Sequence, residues 1–134
     1  MTWTEAFRKG RIRWLMWFVI GSFLGYLFGL KVGTQSDLPW AMAIGAANGA
    51  AVGFAVGPAA EKGAVILSGV FAGTPFYFIG TSIFVMSVIE ARKLHRGLTT
   101  DDLMIGSIFL AVGLAFSFGQ ALRVRRQVSE LADQ

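Results

Sequence analysis

Three side chains in the apolar part of this sequence stand out as candidates for chemistry: the amide of Asn48, the hydroxyl of Thr74 and the phenol of Tyr77. We interpret Asn48 as the only amide deep in an apolar stretch. Thr74 precedes Pro75, and proline removes one backbone hydrogen bond, which would leave the carbonyl of Phe71 without its helical partner. A helix broken in this way can offer backbone groups to an ion. The simpler interpretation is structural: Asn48 bonds to a neighbouring helix, and Thr74 satisfies an ordinary kink.

Acid–base, redox and metal chemistry have few candidate residues. All eight acidic residues lie outside the long apolar stretches, and the chain has one histidine and no cysteine. His95 lies among charged residues, where a solvent-exposed loop is the expected setting. A proton relay needs ionisable groups inside the apolar region, and thiolate chemistry needs cysteine. We therefore predict that the protein is not an enzyme, with no cofactor and no metal site.

The charged residues divide the sequence into long apolar runs. Only 15% of its 134 residues are charged, against roughly 25% in a soluble domain. The runs without Asp, Glu, Lys or Arg are Leu15–Leu30, Pro39–Ala60, Gly63–Ile89 and Leu103–Leu122. A membrane-spanning helix needs roughly 17–25 residues. The sequence predicts one all-α integral membrane domain with four transmembrane helices, at approximately 12–31, 39–57, 64–89 and 102–122.

The second run is the weakest of these segments, because it consists mainly of alanine and glycine around Asn48. A three-helix protein, with this run re-entrant or peripheral, is the alternative. Thr2 and Glu5 have the spacing of a capping box, which predicts a short amphipathic helix at the N-terminus with Trp3 and Phe7 on one face. Helix ends are predicted at Gly57, before Pro58, and at Gly97, and Thr99 to Asp102 should cap the fourth helix.

Glycines recur every four residues along the first three runs. Residues at this spacing lie nearly above one another on a helix, so each row makes a shallow groove into which another backbone can pack. The pattern predicts glycine-zipper packing and is unspecific for function. The residues concerned are Gly21, Gly25, Gly29, Gly45, Gly49, Gly53, Gly57, Gly69 and Gly73.

The basic residues predict the orientation in the membrane. With four helices, the two termini and the loop near Lys62 share one side, which carries eight basic residues against four on the other side. This bias favours both termini in the cytoplasm, and the basic residues beside membrane ends give no reason to expect nucleic-acid binding. Beyond Leu122 the chain is basic and amphipathic. Val124, Val128 and Leu131 would share one face of a helical tail, which we predict to dock on a partner protein rather than on lipid headgroups.

Two families have features in common with this sequence. Similar glycine rows occur in a four-helix family of mitochondrial inner-membrane translocases. Part of the second and third runs resembles the bacterial fluoride channels, and this resemblance implies a channel. That family's arginine near the first helix and its dense Thr-Phe-Ser-Thr-Phe run have no counterpart here. The residues that carry the resemblance are Asn48, Gly69, Gly73, Thr74, Phe76 and Phe78.

From these features we expect a non-catalytic subunit that packs in a larger membrane complex, such as a respiratory, photosynthetic or transport assembly. The apolar runs lack catalytic groups, and the glycine rows require close helix partners. The expected partners are other membrane subunits or a second copy of the chain, together with membrane lipids. The alternative is a homo-oligomeric small ion channel or transporter that uses Asn48 and the break at Thr74. A bacterial or organellar inner membrane is the expected location.

Overall fold

The computed structural model describes residues 1–33 and 35–133, and in this part of the chain it is helical without strands. A short 3-10 turn, Gln35–Asp37, joins the first two helices. The α-helices are α1 (Trp3–Val32), α2 (Leu38–Val56), α3 (Pro58–Lys62), α4 (Val65–Ala72), α5 (Thr74–Lys93) and α6 (Thr100–Ala132).

Four helical segments are long and apolar enough to cross a membrane, namely Trp3–Lys31, Leu38–Lys62, Thr74–Lys93 and Thr100–Ala132. The prediction of an all-α chain with four candidate spans is thus confirmed, and composition indicates a membrane location. The weak second run is helical over α2.

The N-terminal segment is the beginning of α1 and not a separate short helix. The predicted capping box is present, because the Glu5 amide donates to Thr2 Oγ1 at 3.3 Å and the Thr2 amide donates to Glu5 Oε2 at 3.1 Å. The helix then continues without interruption to Val32. Satisfying the first amide groups at Thr2 explains why α1 starts well before its apolar part.

The third run forms two helices that meet at Gly73. Pro75 lies in the first turn of α5, and the Gly73 amide, rather than Thr74, donates to the carbonyl of Phe71. Both helices pack on α6 in turn: Gly69 of α4 lies against Ser117, and Gly80 of α5 lies against Leu110. The two short helices therefore follow one another along a single long neighbour.

The helices are arranged in a row. α1 packs on α2 and α3, α2 packs on α4 and α5, and α6 packs on α4 and α5. The accessible surface is 9088 Å², whereas a compact soluble monomer of 14.5 kDa exposes about 6,900 Å². Large apolar side chains such as Phe23, Phe28 and Phe118 point outward. Such a surface needs lipid or protein to cover it.

The best-packed region lies at the end of the molecule that holds both termini. Val124 of α6, Pro58 of α3 and Ser68 of α4 are the largest fully buried side chains of the described residues. An ion pair joins Arg13 of α1 to Glu61 of α3. Tight packing at this end joins the start of α1, α3 and the end of α6.

At the opposite end, α5 closes on His95 and not on Gly97. His95 has a positive φ of 50°, and the Arg96 amide donates to the carbonyl of Ala91 at 3.0 Å. A residue in the left-handed conformation followed by this bond is the Schellman arrangement, which usually has glycine at the left-handed position. The prediction that Gly97 ends the helix was therefore two residues too late, although His95 is exposed in a loop as expected.

Candidate functional site

The α1–α2 contact is made by glycine backbones. A Cβ atom placed on Gly21 would lie 2.3 Å from the carbonyl oxygen of Gly45, and one placed on Gly45 would lie 2.2 Å from that of Gly21. The corresponding distances are 2.3 Å from Gly25 to the oxygen of Ala41 and 2.2 Å from Gly49 to that of Trp17. Real Cβ atoms do not approach an atom to within 3.0 Å. Hydrogen is therefore the only side chain that these positions accept at this helix separation.

The remaining glycines of the predicted rows also face a neighbouring helix. Gly29 lies against the Ala41 side chain, Gly53 against the Trp14 backbone and Gly57 against that of Gly10. Gly69 and Gly73 lie against α6, where a Cβ on Gly73 would be 2.6 Å from the carbonyl oxygen of Gly113.

Four further glycines lie at helix contacts, and the four-residue pattern did not select them. A Cβ on Gly10 would be 2.4 Å from the backbone nitrogen of Pro58. The others, Gly80, Gly106 and Gly113, lie between α5 and α6. The spacing of seven between Gly73 and Gly80, and between Gly106 and Gly113, is two helical turns and could have revealed them.

A buried polar network connects α2, α4 and α6. Ser68 Oγ donates to the carbonyl of Ala55 at 2.6 Å. Gln120 Nε2 donates to Ser68 Oγ at 3.0 Å and lies 3.4 Å from the same carbonyl. Ala55 is in the last turn of α2, where carbonyls lose their intrahelical donors, and the chain turns sharply at Gly57 with φ −101° and ψ −102°. The two side chains replace the donor that the break removes.

Gln120 corrects the interpretation of Asn48 as the only deep amide. Asn48 Nδ2 donates to the carbonyl of Ile44 at 2.9 Å in its own helix, so the predicted bond to a neighbouring helix is absent from the described interactions. Gln120 makes the inter-helix contacts instead. The spacing of polar groups along α6, with Ser117 and Gln120 on nearly the same face, was the available signal.

The three residues of the predicted polar site take part in separate interactions. Tyr77 shares a hydrogen bond of 2.8 Å with Ser117 on α6. Thr74 is half-buried in the first turn of α5, and Asn48 bonds within α2. No hydrogen bond of the described residues joins these three side chains into one site.

An aromatic cluster packs the start of α1 on the helices beside it. Trp3 stacks on Phe54 of α2 at 6.1 Å between ring centroids, and Phe7 contacts both Trp14 at 5.8 Å and Phe54 at 5.9 Å. Phe54 in turn meets Phe71 of α4 edge-on at 5.2 Å. The apolar face of the N-terminal segment is thus partly covered by the chain itself.

The tail stripe is divided between the chain and its surroundings. Val124 is 0% exposed, Val128 is 43% exposed and Leu131 is 69% exposed. Val128 Cγ2 lies 2.9 Å from where a Cβ on Gly63 would be, so the α3–α4 turn covers part of it. The prediction that Val124 docks on a partner is therefore wrong, because it is already buried within this chain.

A cleft of about 640 Å³ opens at the same end of the molecule. Its walls come from the start of α1, from α3 with the following turn, and from the end of α6. The basic side chains that line it are Lys9, Arg13 and Lys62, and the acidic ones are Glu61 and Glu130. Among the described residues, no three His, Asp or Glu side chains are grouped to hold a metal ion.

Comparison with known proteins finds no matching family model, no matching curated protein and no matching solved structure. The resemblance to the fluoride channels receives no support from these comparisons. The functional argument therefore depends on the geometry of this chain.

Proposed function

We propose that this protein is a non-catalytic integral membrane subunit that packs in and stabilises a larger multi-subunit membrane complex of the respiratory, photosynthetic or transport kind. The observation that carries this proposal is the row arrangement of its helices, which leaves long apolar faces of α1, α5 and α6 uncovered by the chain itself. A subunit that lies between other subunits needs such faces, and a closed bundle would not offer them.

In this proposal the glycine rows act as glycine zippers that make the chain a rigid unit. Close backbone approach gains dispersion contacts, which drive helix association where lipid removes the hydrophobic incentive. The contacts at Gly21, Gly45 and Gly49 support this role within α1 and α2. They consume the small-residue grooves of these helices internally.

One small-residue row remains uncovered and would serve the partner. Gly119 of α6 has no atom within 4 Å of where its Cβ would be, in contrast to the other helical glycines. One and two turns earlier on the same face lie Ala115 and Ala111, which are also exposed. Small residues at this spacing are typical of transmembrane helix interfaces.

The internal use of polar groups favours a packing role over conduction. Asn48 and Tyr77 each form a hydrogen bond within the chain, and no buried polar side-chain atom of the described residues lacks a partner. Polar groups that conduct or bind a solute would instead face a cavity. The homo-oligomeric channel is therefore the second outcome of the test and not a parallel proposal.

We further propose a bacterial or organellar inner membrane, with both termini in the cytoplasm or the equivalent compartment. The end with both termini carries eight basic and four acidic residues, whereas the opposite end carries four of each. The entire net charge of +4 is thus at one end. Positive loops are retained on the cytoplasmic side, where the basic start of α1 would lie along the headgroups.

Gentle purification tests the proposal. The full chain, extracted in a mild detergent, should co-purify with unrelated membrane chains, and Gly119→Leu should release them while leaving the melting temperature of the chain unchanged. Thr81→Leu, which adds the same side chain to an exposed position of α5, is the control and should retain the partners. A homodimer without other chains would overturn the subunit proposal and favour the channel.

A further inference from the structure

We propose that the cleft between the start of α1, α3 and the end of α6 is a binding site for the headgroup of an anionic glycerophospholipid. This inference depends on the membrane location of the chain and not on its role as a subunit. The ligand chemistry is a phosphodiester anion with an attached acyl chain.

The charges of the cleft favour an anion. Arg13 is paired with Glu61, which leaves Lys9, Lys62 and Glu130 as the other charged side chains of the walls. Lys9 makes no ion pair with a described residue. Lys62 Nζ donates to the carbonyl of Met1 at 2.5 Å, a bond that uses one of the three protons of its ammonium group. Both ammonium groups therefore keep donors for phosphate oxygens.

The other wall of the cleft is suited to a lipid rather than to free phosphate. Val128 and Leu131 line it together with the two lysines, and Leu131 is largely exposed. A phosphate ion would leave these apolar side chains in water, whereas an acyl chain would cover them. The volume of about 640 Å³ is also within the usual range of ligand sites, roughly 300–1,000 Å³.

The position of the cleft matches the height of lipid headgroups. It opens where the apolar parts of α1 and α6 change to basic sequence, at Arg13 and Arg123. Arg125 and Arg126 continue this basic surface on α6, so the field around the cleft is positive. Anionic lipids of the same leaflet are attracted to such a surface by roughly 1 kcal/mol per basic residue.

Native mass spectrometry of the full chain in detergent, titrated with phosphatidylglycerol or phosphatidylcholine, tests the site. The parent should bind phosphatidylglycerol selectively, and the double variant Lys9→Ala with Lys62→Ala should bind it roughly tenfold more weakly or worse. Lys31→Ala with Lys93→Ala removes the same charge at the opposite end and should bind within about twofold of the parent.

Three results would overturn the inference. Equal losses in both double variants would show general charge attraction, and equal binding of phosphatidylcholine would remove the headgroup selectivity. Displacement of the lipid by millimolar inorganic phosphate would indicate a phosphate site instead. Because Lys62 also bonds to Met1, Lys9→Ala alone provides a second test, and this variant should lose roughly fivefold in phosphatidylglycerol affinity with an unchanged melting temperature. Partner co-purification is measured separately, so failure of either proposal leaves the other intact.

Discussion

Gln120 of α6 donates its side-chain amide to Ser68 Oγ of α4 at 3.0 Å, and Ser68 passes a hydrogen bond of 2.6 Å to the carbonyl of Ala55 in α2. One short chain of donors thus connects three helices inside the apolar part of the molecule. Water is absent from a bilayer core, so a carbonyl released by a helix break must find a donor within the protein. The network and the break at Gly57 are therefore parts of one solution.

Removing the central hydroxyl should destabilise this junction. Ser68→Ala would leave the Ala55 carbonyl with only the long contact to Gln120, and an unsatisfied buried acceptor costs about 1–3 kcal/mol. We expect the melting temperature in detergent to fall by several degrees. Ser22→Ala is the matched control, because the Ser22 hydroxyl bonds to Phe18 in its own helix. Similar melting of both variants would contradict the role of the network.

A single methyl group should have opposite effects on two glycines. Gly25→Ala puts Cβ 2.3 Å from the carbonyl oxygen of Ala41 and should lower the melting temperature or the yield of folded protein. Gly119→Ala meets open space and should raise stability by roughly 0.5–1 kcal/mol, because alanine favours the helix over glycine. Thermal melting in detergent measures both. A change of the same sign in the two variants would disprove the close packing of α1 on α2.

Relief of the left-handed residue should stabilise the end of α5. His95 adopts φ 50°, a conformation that costs a non-glycine residue roughly 1–2 kcal/mol. His95→Gly should therefore raise the melting temperature by a few degrees. Arg92→Gly, placed inside the last turn of the same helix, should lower it by a similar amount. A destabilised His95→Gly variant would mean that the helix ends elsewhere.

The buried tail residue should matter more to the chain than to a partner. Val124→Ala removes two methyl groups from a fully buried position and should cost about 1–3 kcal/mol of stability. Val128→Ala, at a position that is 43% exposed, should cost clearly less. Truncation after Leu122 should accordingly lower the melting temperature of the isolated chain. An unchanged melting temperature after truncation would show that the tail does not pack on its own chain.

The orientation is tested with reporter fusions. A reporter at the C-terminus should lie on the cytoplasmic side, and one inserted in the Gln35–Asp37 turn should lie on the opposite side. The eight-to-four distribution of basic residues is the physical reason, since positive segments resist translocation. Reporters on the same side at both positions would exclude four spans.

Much of the helical framework could be predicted because its signals are local. The capping box at Thr2 and Glu5 and the helix end before Pro58 depend only on neighbours in sequence. The Thr99 cap of α6 belongs to the same class, with the Asp102 amide donating to Thr99 Oγ1 at 3.3 Å. The end of α5 was misplaced because His95 takes a conformation for which Gly97 was the better sequence candidate.

The candidate site was less predictable, because its contacts depend on which helices become neighbours. Asn48 and Gln120 are chemically alike and both lie in apolar runs, yet only Gln120 bonds across helices. Their roles follow from the face that each helix turns toward the bundle.

The sequence by itself determined that this chain forms four long apolar helices, where most of them begin and end, and that its net charge is concentrated near the termini, because length, capping and charge act along the chain. Only the tertiary structure decided that Gly21 meets Gly45, that Ser68 and Gln120 replace a lost backbone donor, and that Val124 is buried while Leu131 is exposed. These relationships join residues far apart in sequence, and their energies exist only once the helices have been brought together.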